Sequence, residues 1–178
     1  MEYQPHQIYH VFNQGNNQQP IFFRTANYHY CIMHNHFHWL LHVRPDGCNR
    51  IRAVKTQKKY LNPEFEIQSD FQQNLSHKIG IILSSYTRAI NIQERRWGSL
   101  FRAKTKVKNS NYQSKNNQEL SGVDYFVTCF EYIHENPVSA NLVNRIKDWE
   151  FSSAKDYLGL RKDSICNISL TERIIWQC

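Results

Sequence analysis

The sequence predicts an α+β domain, in which strands and amphipathic helices follow one another as separate elements. Apolar and aromatic residues are dense from His34 to Val43, and nothing there breaks an extended chain, which predicts a central strand. After Asp70, apolar residues recur at steps of three and four, which predicts a helix of many turns. The same spacing returns between Ser121 and Asn136 and predicts a second helix.

Composition and charge narrow the classes of function. The 178 residues are enough for one domain with a hydrophobic core, and a hydrophobic content of 40% indicates a globular chain. The net charge of +7 favours an anionic partner, with nucleic acid ahead of a membrane surface. We expect no membrane partner and no signal peptide, because no apolar run is long enough and the N-terminus is polar. The recognisable patterns predict one domain over residues 1–160 and a C-terminal tail over residues 161–178.

The cysteines predict a reducing compartment. They are odd in number and lack the CxxC spacing of structural zinc sites. They are Cys31, Cys48, Cys129, Cys166 and Cys178. Because disulfides rarely persist in the cytoplasm, we expect a cytoplasmic protein with reduced thiols.

The other strands and turns are predicted from local composition. A first strand covers Gln7–Phe12, and Gly15 with its neighbouring asparagines predicts a turn over Asn13–Asn17. Arg44–Gly47 has the composition of a turn, and the polar residues 48–68 predict a long loop.

Local signals also set the expected ends of the helices. Ser69 or Asp70 can cap the first helix with its side-chain oxygen. Pro137 is expected to stop the second helix at about Asn136, since proline breaks the backbone hydrogen bonds of a helix. The polar residues 109–122 predict a flexible loop between the two helices.

The two faces of the central strand differ in chemistry. Alternate residues of a strand share a face, so one face carries three imidazoles and a leucine: His36, His38, Leu40 and His42. The opposite face is apolar and predicts a core contact: Phe37, Trp39, Leu41 and Val43. Two imidazoles two residues apart can hold one metal ion. The alternative is a half-exposed strand whose histidines only face solvent.

Basic residues cluster in a second predicted strand, Leu100–Lys108. Its cationic face consists of Arg102, Lys104, Lys106 and Lys108, and Arg95 and Arg96 precede it. A strand with one cationic face can follow a phosphate backbone, so these six residues are candidate DNA contacts. The alternative is an edge strand whose lysines prevent aggregation.

The second helix carries a candidate nucleophile. Tyr132 and Asn136 lie one helical turn apart, so the hydroxyl and the amide project side by side. A tyrosine hydroxyl can attack phosphorus, and the oxygen of Asn136 can bind a metal already held by His36 and His38. The alternative is a tyrosine at the edge of the core and an asparagine that ends a helix.

Several motifs carry a family resemblance. The run Met33–Leu40 resembles the M-P-N-H-x-H strand of single-tyrosine HUH transposases, the insertion-sequence-200-like group. The chain is more closely similar to the REP-associated tyrosine transposases. The further matches are Tyr9–Asn16, Gly98–Arg102, Tyr132–Val138 and Trp149–Ser153. These motifs span the chain from about Tyr9 to Leu160 in the order that the family has.

The resemblance implies a fold and a reaction. The fold is a ferredoxin-like antiparallel sheet with helices packed on it, and a mobile helix carries the tyrosine. The implied reaction is the nicking and rejoining of single-stranded, hairpin-flanked DNA through a 5′-phosphotyrosine intermediate. By position, His36, His38 and Asn136 match the ligands of Mg²⁺ or Mn²⁺, and Tyr132 matches the nucleophile. The resemblance therefore implies a metal-dependent DNA strand-transferase that acts as a monomer or a homodimer.

Three features depart from the family pattern. The family's usual first helix is missing between Tyr28–Tyr30 and Cys31–Met33, which should expose apolar surface or force repacking. His34 stands where proline is usual, and Gln14 stands where arginine is usual. These departures are consistent with a degraded copy of a transposase.

Two other functions are compatible with the same residues. One is a basic domain that binds hairpin nucleic acid without cutting it. The other is a metalloprotein with no nucleic-acid role.

Overall fold

A four-stranded antiparallel sheet forms the centre of the fold. The structure, a computed structural model, describes residues 2–15, 29–52, 71–109 and 122–176. The strands are β1 (Ile8–Gln14), β2 (His29–Ile32), β3 (His36–His42) and, after a two-stranded sheet of β4 (Arg50–Arg52) and β5 (Phe71–Gln73), β6 (Lys106–Asn109). The order across the large sheet is β2-β3-β1-β6. The predicted α+β class is confirmed.

Helices cover the sheet and complete the chain. They are α1 (Pro45–Cys48), α2 (Asn74–Gln93), α3 (Gly122–Ser139), α4 (Ala154–Tyr157) and α5 (Ile168–Trp176), with a 3₁₀ turn at Ile146–Asp148. In the described part of the chain, no helix combines the length and apolarity that a bilayer span requires. The cysteines of the described residues are free thiols.

The strand register places the predicted histidine face and the basic strand on the same side of the sheet. Phe12 of β1 lies opposite His38 of β3 on one side and opposite Lys106 of β6 on the other. Residues directly opposite one another point to the same face. The face that carries His36 and His38 therefore also carries the cationic residues of β6.

Two hydrophobic cores lie on the two faces of the sheet. The apolar face of β3, with Phe37, Trp39 and Val43, packs against α2, whose contacts follow a helical period: Leu75, Ile79, Ile82, Leu83, Tyr86 and Ile90. The histidine face packs around Leu40 against α3. Both faces of the central strand β3 thus contact a hydrophobic core, and β2 runs from His29 to Ile32 as one uninterrupted strand. Of the two expected consequences of a missing helix, exposed apolar surface is not observed for these strands.

The first predicted helix begins later than expected. Residues 71–73 form β5 and pair with Arg50–Arg52, so the chain is still extended there. The helix α2 starts at Asn74 with Gln73 at its N-terminal boundary, and Gln73 makes no side-chain capping bond. The predicted caps Ser69 and Asp70 lie outside the described residues.

The predicted basic strand is shorter than expected. Leu100 and Phe101 are both buried, and two successive residues of a strand cannot face the same core. The chain therefore bends here, with a single bridge between Phe101 and Gly15, and only Lys106–Asn109 pairs with β1. Asn13, predicted in a turn, belongs to β1 and helps to hold the bend, because its side-chain amide donates to the carbonyl of Arg102 at 3.2 Å.

The second predicted helix continues past Pro137. It ends at Ser139 rather than at Asn136, and Pro137 is fully buried. Proline lacks a backbone N–H donor, but the helical hydrogen-bonding pattern continues past it. Ala140 N–H donates to the carbonyl of Asn136, four residues earlier, at 2.9 Å.

Three other predictions concern short segments. The segment Arg44–Gly47, predicted as a turn, lies almost wholly within the single-turn helix α1, whose N-cap is Arg44. The loop predicted over residues 48–68 contains β4, and residues 53–68 lie outside the described part. The predicted loop over residues 109–122 also lies largely outside it, as do residues 16 and 17 of the first turn.

The segment after residue 160 packs on the domain. Arg161 pairs with the buried carboxylate of Asp156 at 2.6 Å, and Thr171 of α5 accepts or donates a hydrogen bond with His29 of β2 at 3.1 Å. Ile174 and Ile175 contact the core beneath α3. The domain boundary at residue 160 stays a prediction, but these contacts cross it.

Candidate active site

A cleft lies where β1, β3 and α3 meet the bend that precedes β6. Its volume is about 230 Å³. Its lining residues are Phe12, Asn13, Gln14, His36, His38, Arg102, Lys104, Lys106 and Tyr132. The structure therefore brings together two predicted metal ligands, the predicted nucleophile and three predicted DNA contacts, although they come from distant parts of the sequence.

His38 presents one ring nitrogen for a ligand. Its Nδ1 lies 2.9 Å from Nε2 of His10 on β1, whereas its own Nε2 is buried and has no hydrogen-bond partner in the described part of the chain. Burial, together with the neighbouring His10 and His36, lowers the pKa of His38 to about 3. The imidazole is therefore neutral at ordinary pH, which is the form that binds a metal.

His36 is held in a similar way. Its Nδ1 lies 2.6 Å from the side-chain oxygen of Asn35. Because that oxygen can only accept, Nδ1 carries the proton and Nε2 keeps its lone pair. Burial lowers the pKa of His36, and its ring centroid lies 5.0 Å from that of His38 with the planes nearly perpendicular.

Tyr132 stands at the edge of the cleft. The helix α3 packs into the core through Phe126, Cys129 and Ile133. Tyr132 lies on the solvent-facing side of the helix, with 51% of its surface exposed. Its ring meets the His38 ring edge-on with centroids 5.4 Å apart. The exposed ring of Tyr132 thus lines the same cleft as His36 and His38.

Asn136 is not among the lining residues of the cleft. It lies one turn further along α3, and its side-chain nitrogen Nδ2 is buried without a hydrogen-bond partner among the described residues. Its role as a third metal ligand stays a prediction.

The cationic residues divide into two groups. Arg102, Lys104 and Lys106 line the cleft, and Lys106 also lies over the ring of Phe12 at 5.8 Å from its centroid. Lys108 lies on the same face of β6, opposite His10.

The other two predicted DNA contacts lie apart from the cleft lining. Arg95 and Arg96 follow the end of α2, where Arg95 adopts a left-handed backbone conformation with φ of 49°. Their role as DNA contacts stays a prediction.

Sequence reasoning singled out Gln14 of β1 but missed Phe12, Asn13 and His10. The cleft is lined by Phe12, Asn13 and Gln14. His10 forms a hydrogen bond with Nδ1 of His38. Alternation along the first strand already places His10 and Phe12 on one face. Only the register between strands brings that face next to His38.

The donor atoms fit a divalent ion in part. His36 and His38 line one cleft. Nε2 of His38 is buried and has no hydrogen-bond partner among the described residues, so a bound metal would satisfy it. Among the described residues, no group of three or more His, Cys, Asp or Glu side chains could hold a metal. The remaining ligands would therefore be oxygens of water, of a bound phosphate or of the predicted ligand Asn136, which Mg²⁺ and Mn²⁺ accept.

Comparisons with known proteins support the fold. The sequence matches no protein-family model, and no curated protein matches it. A solved structure of a REP-associated tyrosine transposase bound to a REP hairpin is similar in fold, with a TM-score of 0.52 over 91% of this chain and 86% of that one. The two sequences are 13% identical, so the likeness concerns the arrangement of the sheet and helices.

Proposed function

We propose that this chain is a transposase-type endonuclease that nicks and rejoins single-stranded, hairpin-flanked DNA. The observation that carries the proposal is the meeting of His36, His38 and Tyr132 at one cleft that is lined by three cations. The similar fold of a transposase whose structure contains a bound hairpin supports the same class of substrate.

The tyrosine supplies the covalent step. The oxygen of Tyr132 attacks the scissile phosphorus and loses its proton to solvent, while the bond from phosphorus to the 3′ oxygen breaks. The leaving oxygen takes up a proton and becomes a free 3′-hydroxyl, and the 5′ phosphate stays on Tyr132. Attack by another 3′-hydroxyl reverses the step and reseals the strand, so no external energy source is required.

His36 and His38 would hold Mg²⁺ or Mn²⁺ beside the phosphate. The ion would supply Lewis-acid polarisation and charge neutralisation of the scissile phosphate. Both imidazoles are neutral and held by neighbours, so they can bind without prior loss of a proton. Arg102, Lys104 and Lys106 would bind flanking phosphates and set the position of the strand.

A non-catalytic nucleic-acid-binding domain is the second candidate. The observation that favours it is the position of Asn136, which does not line the cleft and leaves the proposed metal with two protein ligands. The cationic cleft would then bind DNA without the chemistry of Tyr132.

Covalent trapping distinguishes the two candidates. The purified chain is incubated with labelled single-stranded hairpin DNA and Mn²⁺, and the products are separated on a denaturing gel. A shifted band is expected that requires the metal and disappears in Tyr132→Phe and His38→Ala. The matched control is Tyr125→Phe, which makes the same chemical change two turns earlier on α3 and should keep the band.

Three results would contradict the proposal. A band that survives in Tyr132→Phe would assign the nucleophile elsewhere. No band from a folded protein that binds the DNA in a salt-dependent way would favour the binding domain. No affinity, or affinity that ignores salt, would favour a metalloprotein without a nucleic-acid role.

A further inference from the structure

We infer that His10 is a positioning residue that holds His38 in the one tautomer able to bind a metal. The inference rests on the proposed metal-binding role of His38 and assigns a task to a residue outside the HUH motif.

The sheet register makes this contact possible. His10 lies opposite Leu40, and Phe12 lies opposite His38, so His10 and His38 are diagonal neighbours on one face. Their ring centroids are 5.1 Å apart with an angle of 32° between the planes. The contact between His10 Nε2 and His38 Nδ1, at 2.9 Å, is a buried hydrogen bond between two neutral rings.

A single proton lies between these two nitrogens. The nitrogen that carries it determines whether Nε2 of His38 can bind a metal. If Nδ1 of His38 carries the proton, it donates to His10, and Nε2 of His38 keeps a lone pair for a metal. If Nε2 of His10 carries the proton, Nδ1 of His38 accepts it, and the one ring proton of the neutral His38 must lie on its own Nε2. That N–H would be buried without an acceptor in the described part of the chain, and Nε2 could not bind a metal.

Cys129 extends the same chain of contacts into α3. Its sulfur lies 3.9 Å from Nδ1 of His10, on the side of the ring away from His38. Burial raises the pKa of Cys129, so the group stays a thiol that can accept a weak hydrogen bond. In the metal-binding tautomer, His10 accepts from His38 and donates toward this sulfur, so every ring proton has a partner. The contacts therefore tie β1, β3 and the helix of Tyr132 to one arrangement.

The first test reads the tautomer directly. Nitrogen NMR of the metal-free wild-type protein at neutral pH distinguishes Nδ1–H from Nε2–H for each histidine. We expect His38 to carry its proton on Nδ1. A proton on Nε2 of His38 would overturn the inference without reference to any activity.

The second test measures metal affinity in two variants. His10→Phe keeps the size of the ring but removes the acceptor, and loss of such a partner typically weakens metal binding by about 10- to 100-fold. His10→Gln keeps an acceptor near the position of Nε2 and should bind Mn²⁺ within about threefold of the wild type on the same scale. Mn²⁺ titration by calorimetry provides the values, and circular dichroism confirms that each variant is folded.

The outcomes separate this inference from the proposed function. A folded His10→Phe variant with wild-type Mn²⁺ affinity overturns the positioning role even if DNA cleavage is found. A wild-type protein that binds no Mn²⁺ contradicts the proposed metal chemistry, and the NMR tautomer then still decides for or against the role of His10. If His10→Phe does not fold, the tautomer and the affinity of His10→Gln decide.

Discussion

At the scale of single residues, Arg161 shows how one side chain fastens the C-terminal segment to the domain. Its guanidinium donates to the hydroxyl of Tyr30 and to the carboxylate of Asp156, both at 2.6 Å, and to the carbonyl of Glu150 at 2.8 Å. The carboxylate of Asp156 is fully buried, so loss of this partner would leave a buried carboxylate without its ion pair.

Replacing Arg161 should therefore destabilise the fold. Arg161→Met keeps the length of the side chain but leaves the buried carboxylate without its cation, which typically costs about 3 kcal/mol of unfolding free energy. Urea denaturation measures the change. The matched control is Arg145→Met, because Arg145 and Asp148 form an exposed ion pair whose loss should leave the denaturation midpoint unchanged. Equal midpoints for all three proteins would contradict the role of Arg161.

At the scale of elements, β6 determines where the positive charge lies. The sheet pairs this strand with β1, so Lys106 and Lys108 join the face of His10 and His38. The amphipathic helix α2 covers the opposite face, and its exposed Lys78 therefore lies on the other side of the sheet. Lys106 and Lys78 therefore carry the same charge, but only Lys106 lies at the cleft.

This placement predicts which lysine affects DNA binding. Lys106→Gln should weaken binding of single-stranded hairpin DNA and reduce the slope of log affinity against log salt by about one. Lys78→Gln makes the same change on α2 and should leave both quantities unaltered. Fluorescence anisotropy over a series of salt concentrations measures them. An equal loss in the two variants would mean that only net charge matters.

At the scale of the whole molecule, a buried polar cluster joins the sheet, α3 and the C-terminal helices. His134 of α3 contacts the hydroxyl of Ser153 at 2.7 Å, and His29 of β2 contacts Thr171 of α5 at 3.1 Å. Burial lowers the pKa of His29 to about 3 and that of His134 to about 4. Both rings are therefore neutral in the folded protein.

The cluster predicts a loss of stability in acid. Above the unfolded pKa of about 6.5 both states are neutral, and below it the unfolded chain binds protons that the folded protein does not. Stability is thus complete above this pH and falls toward pH 4, by at most about 1.4 kcal/mol per histidine for each pH unit. Thermal melts from pH 8 to pH 4.5 should show a falling midpoint.

A variant of His29 separates this effect from general acid denaturation. His29→Phe suits the aromatic neighbours Phe126 and Phe130, and Thr171 keeps its bond to the carbonyl of Asn167. The variant should lose less of its melting temperature than the wild type between pH 6.5 and pH 4.5. Parallel curves for the two proteins would rule out His29 as a source of the acid sensitivity.

Periodicity in the sequence predicted the main elements and several candidate site residues. Alternation along β3 correctly separated the core face of Phe37 from the imidazole face of His38. The steps of three and four predicted the bodies of α2 and α3, because side-chain periodicity follows from local backbone geometry alone. The same geometry placed Tyr132 and Asn136 one turn apart on α3, but the exposure of Tyr132 depends on how α3 packs on the sheet.

Only the tertiary structure decided how these elements meet. The sequence did not indicate that β6 would shorten, because that depends on the simultaneous burial of Leu100 and Phe101. It also did not indicate that His10 would contact His38 or that Asn136 would lie outside the cleft lining, because strand register and helix placement are set by contacts between distant residues. Local patterns therefore determine which face a residue occupies, whereas packing across the sheet determines which residues share a site.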